Sequence, residues 1–235
     1  MAFYRGPNVV TNGLVLSLDA ANPKSYPGSG TTWNDLAGSN NGTLTNGPTF
    51  SSANGGSIVF DGVNDYVLCS NISSSINQNI TISSWVNFTV FDGTGVLVIQ
   101  IPVEQPTAAL TYLYIYRNSF WDNGQLSFLC TYVKTDNTTA TRQHYSPIGY
   151  FKSNTWYNLV AMYDSTGRSK FYANGSLLIN TAPDAQFSRW VNVIGTPYFQ
   201  QSLNGLSSVL QIHNKALTDL EIQQNYNAQK SRFGL

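Results

Sequence analysis

The chain has 235 residues, of which 10% are charged and 42% hydrophobic, and its formal net charge is zero. Without clusters of lysine or arginine it offers no electrostatic footprint for nucleic acid or an anionic membrane, and no apolar stretch is long enough to span a bilayer. Aromatic residues, at 13%, can fill a large core, and the length suits one all-β domain spanning 1–235, with its core from about residue 13 to residue 230.

The opening Met1-Ala2-Phe3-Tyr4-Arg5-Gly6-Pro7 lacks the apolar run of a secretory signal. Leu14 to Asp19 alternates and predicts a first strand with Leu14, Leu16 and Leu18 on one face. From Ser25 to Pro48 the density of Gly, Asn and Pro predicts a loop, in which Trp33 plugs the edge of the core. Strands at hairpin spacing are then expected at Ser57–Phe60, Tyr66–Cys69, Asn79–Phe88, Gly95–Ile101, Leu110–Arg117, Gln125–Val133 and Thr139–Tyr145. Thr155–Asp164, Arg168–Asn174, Val191–Ile194 and Gly205–His213 complete the set. Turns at Asp164-Ser165-Thr166-Gly167 and Ala173-Asn174-Gly175-Ser176 bracket one hairpin.

One helix is expected. Thr218-Asp219-Leu220-Glu221 reads as a capping box, in which the Thr hydroxyl and the Glu carboxylate each satisfy an otherwise unpaired backbone donor. Leu220, Ile222 and Tyr226 follow, with fraying before Ser231. The predicted architecture is therefore all-β: a two-sheet antiparallel jelly-roll sandwich with a short C-terminal helix.

Several short runs recur in a telling order. They are Trp33-Asn34-Asp35-Leu36, Asn41-Gly42-Thr43-Leu44, Phe60-Asp61-Gly62, Ile82-Ser83-Ser84-Trp85-Val86, Trp156, Tyr172 to Gly175, Val193-Ile194-Gly195, and Ala216-Leu217-Thr218 to Glu221. As an ordered set they resemble the laminin-G-like branch of the concanavalin A-like lectin/glucanase jelly rolls. The stretch Leu14–Phe50 and the ending Gln229 to Gly234 look most like variants in bacteriophage virion proteins, especially those of marine phages. The resemblance implies an adhesive rather than a catalytic protein. It also implies a structural calcium held by an aspartate at the position where this chain has Ser207, in Gly205-Leu206-Ser207-Ser208-Val209. A serine is a poor replacement, because calcium takes several oxygens including carboxylates.

The residues themselves argue against catalysis. A two-carboxylate glycosidase needs paired acids facing one cleft, but the chain has only two glutamates: Glu221 in the helix cap, and Glu104 in a proline-bounded loop without an acidic partner. His144 and His213 are too few for a zinc triad and read as hydrogen-bonded structural histidines. Asp61, Asn64 and Asp65 are the oxygen donors available to a calcium, although aspartates in such turns ordinarily accept backbone hydrogen bonds. No other metal or cofactor is expected. Cys69 and Cys130 read as buried free thiols, with a bridge between neighbouring strands as the alternative.

The most suggestive surface is Leu110 to Arg117. Alternation puts Tyr112, Tyr114 and Tyr116 on one face and Leu113 and Ile115 on the other, so a core-facing aliphatic row would leave a ladder of phenols outside. A tyrosine presents a flat ring and a hydroxyl, which suit a sugar or a protein partner; the alternative is that the rings point inward. Arg117, Trp121, Tyr198 and Phe199 join this candidate surface, the last two at an expected loop tip. The expected function is a non-catalytic virion accessory protein, as capsid decoration or a tail-associated adhesion module, made in the host cytoplasm. Its expected partners are other virion proteins, further copies of itself and host-surface glycan, with no nucleic acid or membrane. The alternatives are a free carbohydrate-binding lectin and a degenerate glycoside hydrolase.

Overall fold

A computed structural model describes residues 7–69, 78–89, 97–102, 112–117, 125–190, 198–199 and 203–235, with the backbone alone for 97–102, 112–117, 190 and 198–199. The strands are β1 (Leu14–Asp19), β2 (Thr32–Trp33), β3 (Gly42–Thr45), β4 (Thr49–Ser51), β5 (Ser57–Asp61), β6 (Tyr66–Cys69), β7 (Ile80–Phe88), β8 (Leu97–Pro102) and β9 (Tyr112–Arg117). They continue with β10 (Leu126–Lys134), β11 (Thr139–Tyr145), β12 (Trp156–Tyr163), β13 (Ser169–Ala173), β14 (Ser176–Asn180), β15 (Phe187–Trp190), β16 (Tyr198–Phe199) and β17 (Asn204–His213). Helix α1 spans Asp219–Gln229, and 3-10 turns occupy Ala53–Gly55 and Lys230–Phe233.

These strands form two antiparallel sheets. One has eight strands, in the order β14-β13-β12-β7-β17-β5-β4, with β1 also paired to β17; the other has nine, in the order β11-β10-β9-β8-β16-β6-β3-β2, with β15 paired to β10. Alternation sends Ile80, Ile82, Val86 and Phe88 of β7 and Leu159, Ala161 and Tyr163 of β12 into the space between the sheets. Leu44, Val67, Phe128 and Cys130 meet them from the other side. This is the expected jelly-roll sandwich.

The expected loop from Ser25 to Pro48 contains β2 and β3, which add an edge to the nine-stranded sheet. Gly42 belongs to that edge for want of room: a Cβ there would stand 2.8 Å from Val67 and 3.0 Å from Leu18. Trp33 is fully buried in the core. Asn174 and Gly175 both have positive φ, 51° and 73°, which is the twist a two-residue hairpin needs, and the chain returns as β14. The expected strand at Val191–Ile194 lies outside the described residues; β15 ends immediately before it.

The capping box is present: Thr218 Oγ1 accepts from Glu221 N at 3.2 Å, and Glu221 Oε2 accepts from Thr218 N at 2.9 Å. Leu220 does not join Ile222 against the sheet and is 82% exposed, since residues two apart face different sides of a helix. Helix α1 ends at Gln229, before Ser231 as expected, but the chain stays ordered beyond it. A 3-10 turn carries it on to Phe233, whose ring stacks on Trp85 at 4.0 Å.

Candidate binding face

Register places one row of residues across eight strands of the nine-stranded sheet. Thr32 pairs with Thr43, Thr43 with Leu68, Leu68 with Tyr198, Tyr198 with Gln100, Gln100 with Tyr114, Tyr114 with Leu129, and Leu129 with Gln143. Directly paired residues of antiparallel strands share a face, so these positions all lie on one side of the sheet. The adjacent row, Leu44–Val67–Phe199–Ile99–Ile115–Phe128–His144, contains the core residues Leu44, Val67 and Phe128 and is therefore the inner one. A further outer row runs Tyr116–Ser127–Tyr145.

Of the candidates read from sequence, positions 114, 116 and 198 fall on the outer face, as does Tyr112, paired with Pro102. Arg117 pairs with the fully buried Leu126, and Phe199 with Val67, so the register assigns both to the inner face. Tyr198 and Phe199 are not a loop tip but a two-residue strand between β6 and β8. Trp121 lies outside the described residues.

Sequence reasoning passes over Thr139, Thr141, Gln143 and Tyr145 of β11, which are all exposed. Their signal is the alternation of small polar and larger residues. Tyr145 is 42% exposed, Gln143 Nε2 donates to Ser127 Oγ at 2.9 Å, and the Thr131 and Thr141 hydroxyls meet at 3.0 Å. Of the described outer positions (Thr32, Thr43, Thr45, Tyr66, Leu68, Ser127, Leu129, Thr131, Val133, these four, and Arg189 of β15, which pairs with Val133), Arg189 alone is charged at neutral pH. Such a face offers ring planes and uncharged donors and acceptors, the chemistry of a polyhydroxylated or neutral polar partner.

The described acidic candidates are committed elsewhere. Glu221 holds the helix cap and pairs with Lys215, and Glu104 lies outside the described residues. Asp61 Oδ1 accepts from Val63 N at 2.8 Å and Asp65 Oδ2 from Asp61 N at 3.1 Å, so both carboxylates shape the turn between β5 and β6. Asp65 is only 3% exposed, and its Oδ1 has no hydrogen-bond partner among the described residues. Burial, and then the charge of Asp61, raise its carboxyl above the usual range despite the hydrogen bond from Asp61 N. Asn64 lends its carbonyl to Asn46 Nδ2. Among the described residues no three His, Cys, Asp or Glu side chains converge.

The calcium implied by resemblance fails a test of fit. Ser207 is buried in β17, and the oxygens gathered beside the next residue, Ser208, already serve the Arg232 guanidinium. Cys69 and Cys130 are free and buried, and burial pushes the Cys130 thiol up to about 12. His213 sits against the Val10 carbonyl at 2.9 Å, and burial lowers its pKa. His144 Nε2 has no hydrogen-bond partner among the described residues, and its ring lies 6.4 Å from that of Phe128.

The family described as the concanavalin A-like lectin/glucanases superfamily matches residues 61–223. No curated protein matches the chain in sequence. Among solved structures, Trypanosoma rangeli sialidase in complex with the inhibitor DANA superposes with a TM-score of 0.69 at 14% identity, over 95% of this chain and 34% of the sialidase. The binding domain of Paraclostridial Mosquitocidal Protein 1 gives 0.66 at 15% identity, over 93% of this chain and 52% of that one. The receptor-binding domain of botulinum neurotoxin C/D mosaic serotype gives 0.66 at 13%, over 94% and 52%. The chain thus spans about a third of the sialidase and about half of each toxin chain. At such identities these likenesses establish the fold alone.

Proposed function

Starting from a chain that belongs to the concanavalin A-like lectin/glucanases superfamily, we propose a non-catalytic binding module that works through the outer face of its nine-stranded sheet. Its proposed setting is a bacteriophage particle, as capsid decoration or a tail-associated adhesion protein, in contact with other virion proteins and with host-surface glycan. The observation that carries the binding role is the uncharged row from Thr32 to Gln143 across eight strands of the sheet, flanked by Tyr145. The commitment of Glu221 and the Asp61–Asp65 turn to local structure supports a protein without a carboxylate pair for hydrolysis. The virion setting is supported by the resemblance of Leu14–Phe50 and Gln229 to Gly234 to phage virion variants.

A glycan array run on the wild type, Gln143→Ala and Tyr145→Ala tests the binding role. Specific binding by the wild type that falls at least tenfold in a folded variant is expected. Binding unaffected by either substitution moves the site elsewhere. Mass spectrometry of purified particles tests the setting: absence of the protein there, together with glycan binding, leaves a free lectin. Turnover of a polysaccharide by the pure protein overturns the non-catalytic reading.

A further inference from the structure

Residues 7–13 lie against the C-terminal part of the fold before β1 begins. Val10 N donates to Asn225 Oδ1 at 2.7 Å, and the Asn8 carbonyl accepts from Gln224 Nε2 at 2.7 Å, both partners on α1. The Val10 carbonyl meets His213 Nε2, at the end of β17, at 2.9 Å. Gly13 closes the segment by accepting from Asn214 N at 2.8 Å. The Val10 side chain is half-buried against Val160, Met162, Tyr172, Leu217 and Ile222. Val10 is thus where the segment is fastened, through one apolar contact and two hydrogen bonds.

A carbonyl only accepts, so Nε2 carries the ring hydrogen and the neutral imidazole of His213 leaves Nδ1 bare. That second nitrogen has no hydrogen-bond partner among the described residues, and His213 is 1% exposed. A proton on Nδ1 would create a buried donor without an acceptor and a charge away from water. The charged groups nearby do not answer that charge. Lys215, in the connection to α1, opposes it, and Glu221, which favours it, is paired with Lys215 and holds the helix cap. The other acid at the start of α1, Asp219, is taken by Lys170 and Tyr172. Neither residues 7–13 nor Leu14 and Thr81, the cross-strand neighbours of His213, brings a titratable group.

We propose that His213 is a proton-sensitive latch: neutral, it holds residues 7–13 across β17 and α1, and protonated, it lets them go. Lifting the segment brings water to the ring, so the released form takes the proton that the latched form resists. Burial lowers the pKa of His213 in the latched form below the ordinary 6.5, so the latch is at full strength above that ordinary value. It weakens as pH falls from there toward the latched value, the open population growing by up to about tenfold per pH unit. The latch belongs to the eight-stranded sheet, so it does not depend on the nine-stranded face being the binding site.

Hydrogen exchange followed by NMR between about pH 4.5 and about pH 7.5, corrected for intrinsic rates, tests the latch. Val10 N and Asn214 N report on it, and Ile222 N, bonded to the Thr218 carbonyl, reports on α1. The first two should be less protected than the third and should open up to about tenfold more often per pH unit below about 6.5. Equal protection of all three at every pH would mean that residues 7–13 leave only when the whole fold does, which overturns the proposal. So does a flat profile at Val10. His213→Gln keeps an amide donor for the Val10 carbonyl and cannot titrate, so it should stay protected at Val10 and lose the pH slope. A slope unchanged in that variant assigns the proton to another group and overturns the latch. If the variant does not fold, the imidazole signals of the wild type decide. A ring protonated at Nε2 that titrates below the ordinary histidine value supports the latch, and one that titrates at or above it does not survive as a latch.

Discussion

The outer face of the eight-stranded sheet carries Trp85, Trp156, Val160, Met162 and Tyr172 and lies under α1 and the 3-10 turn that follows it. That of the nine-stranded sheet carries threonines, a glutamine and tyrosine positions, and all the described helical turns lie on the other sheet. Both faces belong to the same sandwich, so the difference is one of use. Covering the first removes two indoles from water, with Trp85 Nε1 bonded to Gln229 Oε1 at 2.5 Å. The second mixes Leu68, Leu129 and Val133 with polar residues, and its exposed positions are Thr32, Thr43 and the Thr139, Thr141, Gln143 and Tyr145 of β11, which suit a polar partner.

The comparison breaks most readily at Trp85. Trp85→Ala removes a buried indole stacked between Phe233 and Tyr226 and should cost about 3–5 kcal/mol. Urea denaturation measures it, and a loss below about 1 kcal/mol would mean that the C-terminal segment is not part of the stable core. Next comes the cap: Thr218→Ala should cost about 1 kcal/mol. That loss should appear with faster amide exchange in α1 and unchanged exchange in the nine-stranded sheet.

The covered face is more legible in the sequence than the open one. Thr218 to Glu221 spells its helix start locally, and Trp85 and Trp156 stand in alternating strands whose period is read within a few residues. Leu220 is misread when apolar character is counted without helical spacing. The open face depends on pairings between distant stretches: β16 is two residues long and exists through its bonds to β6 and β8. Nothing within Tyr198-Phe199 announces that. β3 hides for a related reason, since its Gly42 looks like a turn residue yet is required by Val67 and Leu18 on neighbouring strands. The tyrosine alternation at 112–116 is visible, but which face it serves comes from the register with Phe128 and Leu129.

Between the two faces, the Asp61–Asp65 turn carries the chain from one sheet to the other, from β5 to β6. Its test is a pH profile. Burial raises the folded pKa of Asp65 above the ordinary carboxylate range, so the folded state holds that proton more tightly than the unfolded chain. The cost of the buried charge is absent below the ordinary range and grows as pH rises through the folded pKa. Asp65→Asn should therefore match the wild type in acid and gain on it, by up to about 1 kcal/mol, toward neutral pH. Urea midpoints at both ends of that range decide it. A constant difference between the two proteins at all pH values would assign the effect to the amide rather than to the charge.

The smallest stability effect belongs to Tyr145→Ala, and its smallness is the point. Tyr145 is 42% exposed and sits at the end of the edge strand β11, paired among the described residues with Ser127 alone. Truncating it removes little buried area, so stability should change by no more than about 0.5 kcal/mol. Trp85 and Tyr145 are both aromatic residues on outer sheet faces, which makes the pair a direct contrast. If the Tyr145 loss were instead to approach that of Trp85, its ring would be packing against the fold. The nine-stranded face would then be a second structural surface rather than the one left for a partner.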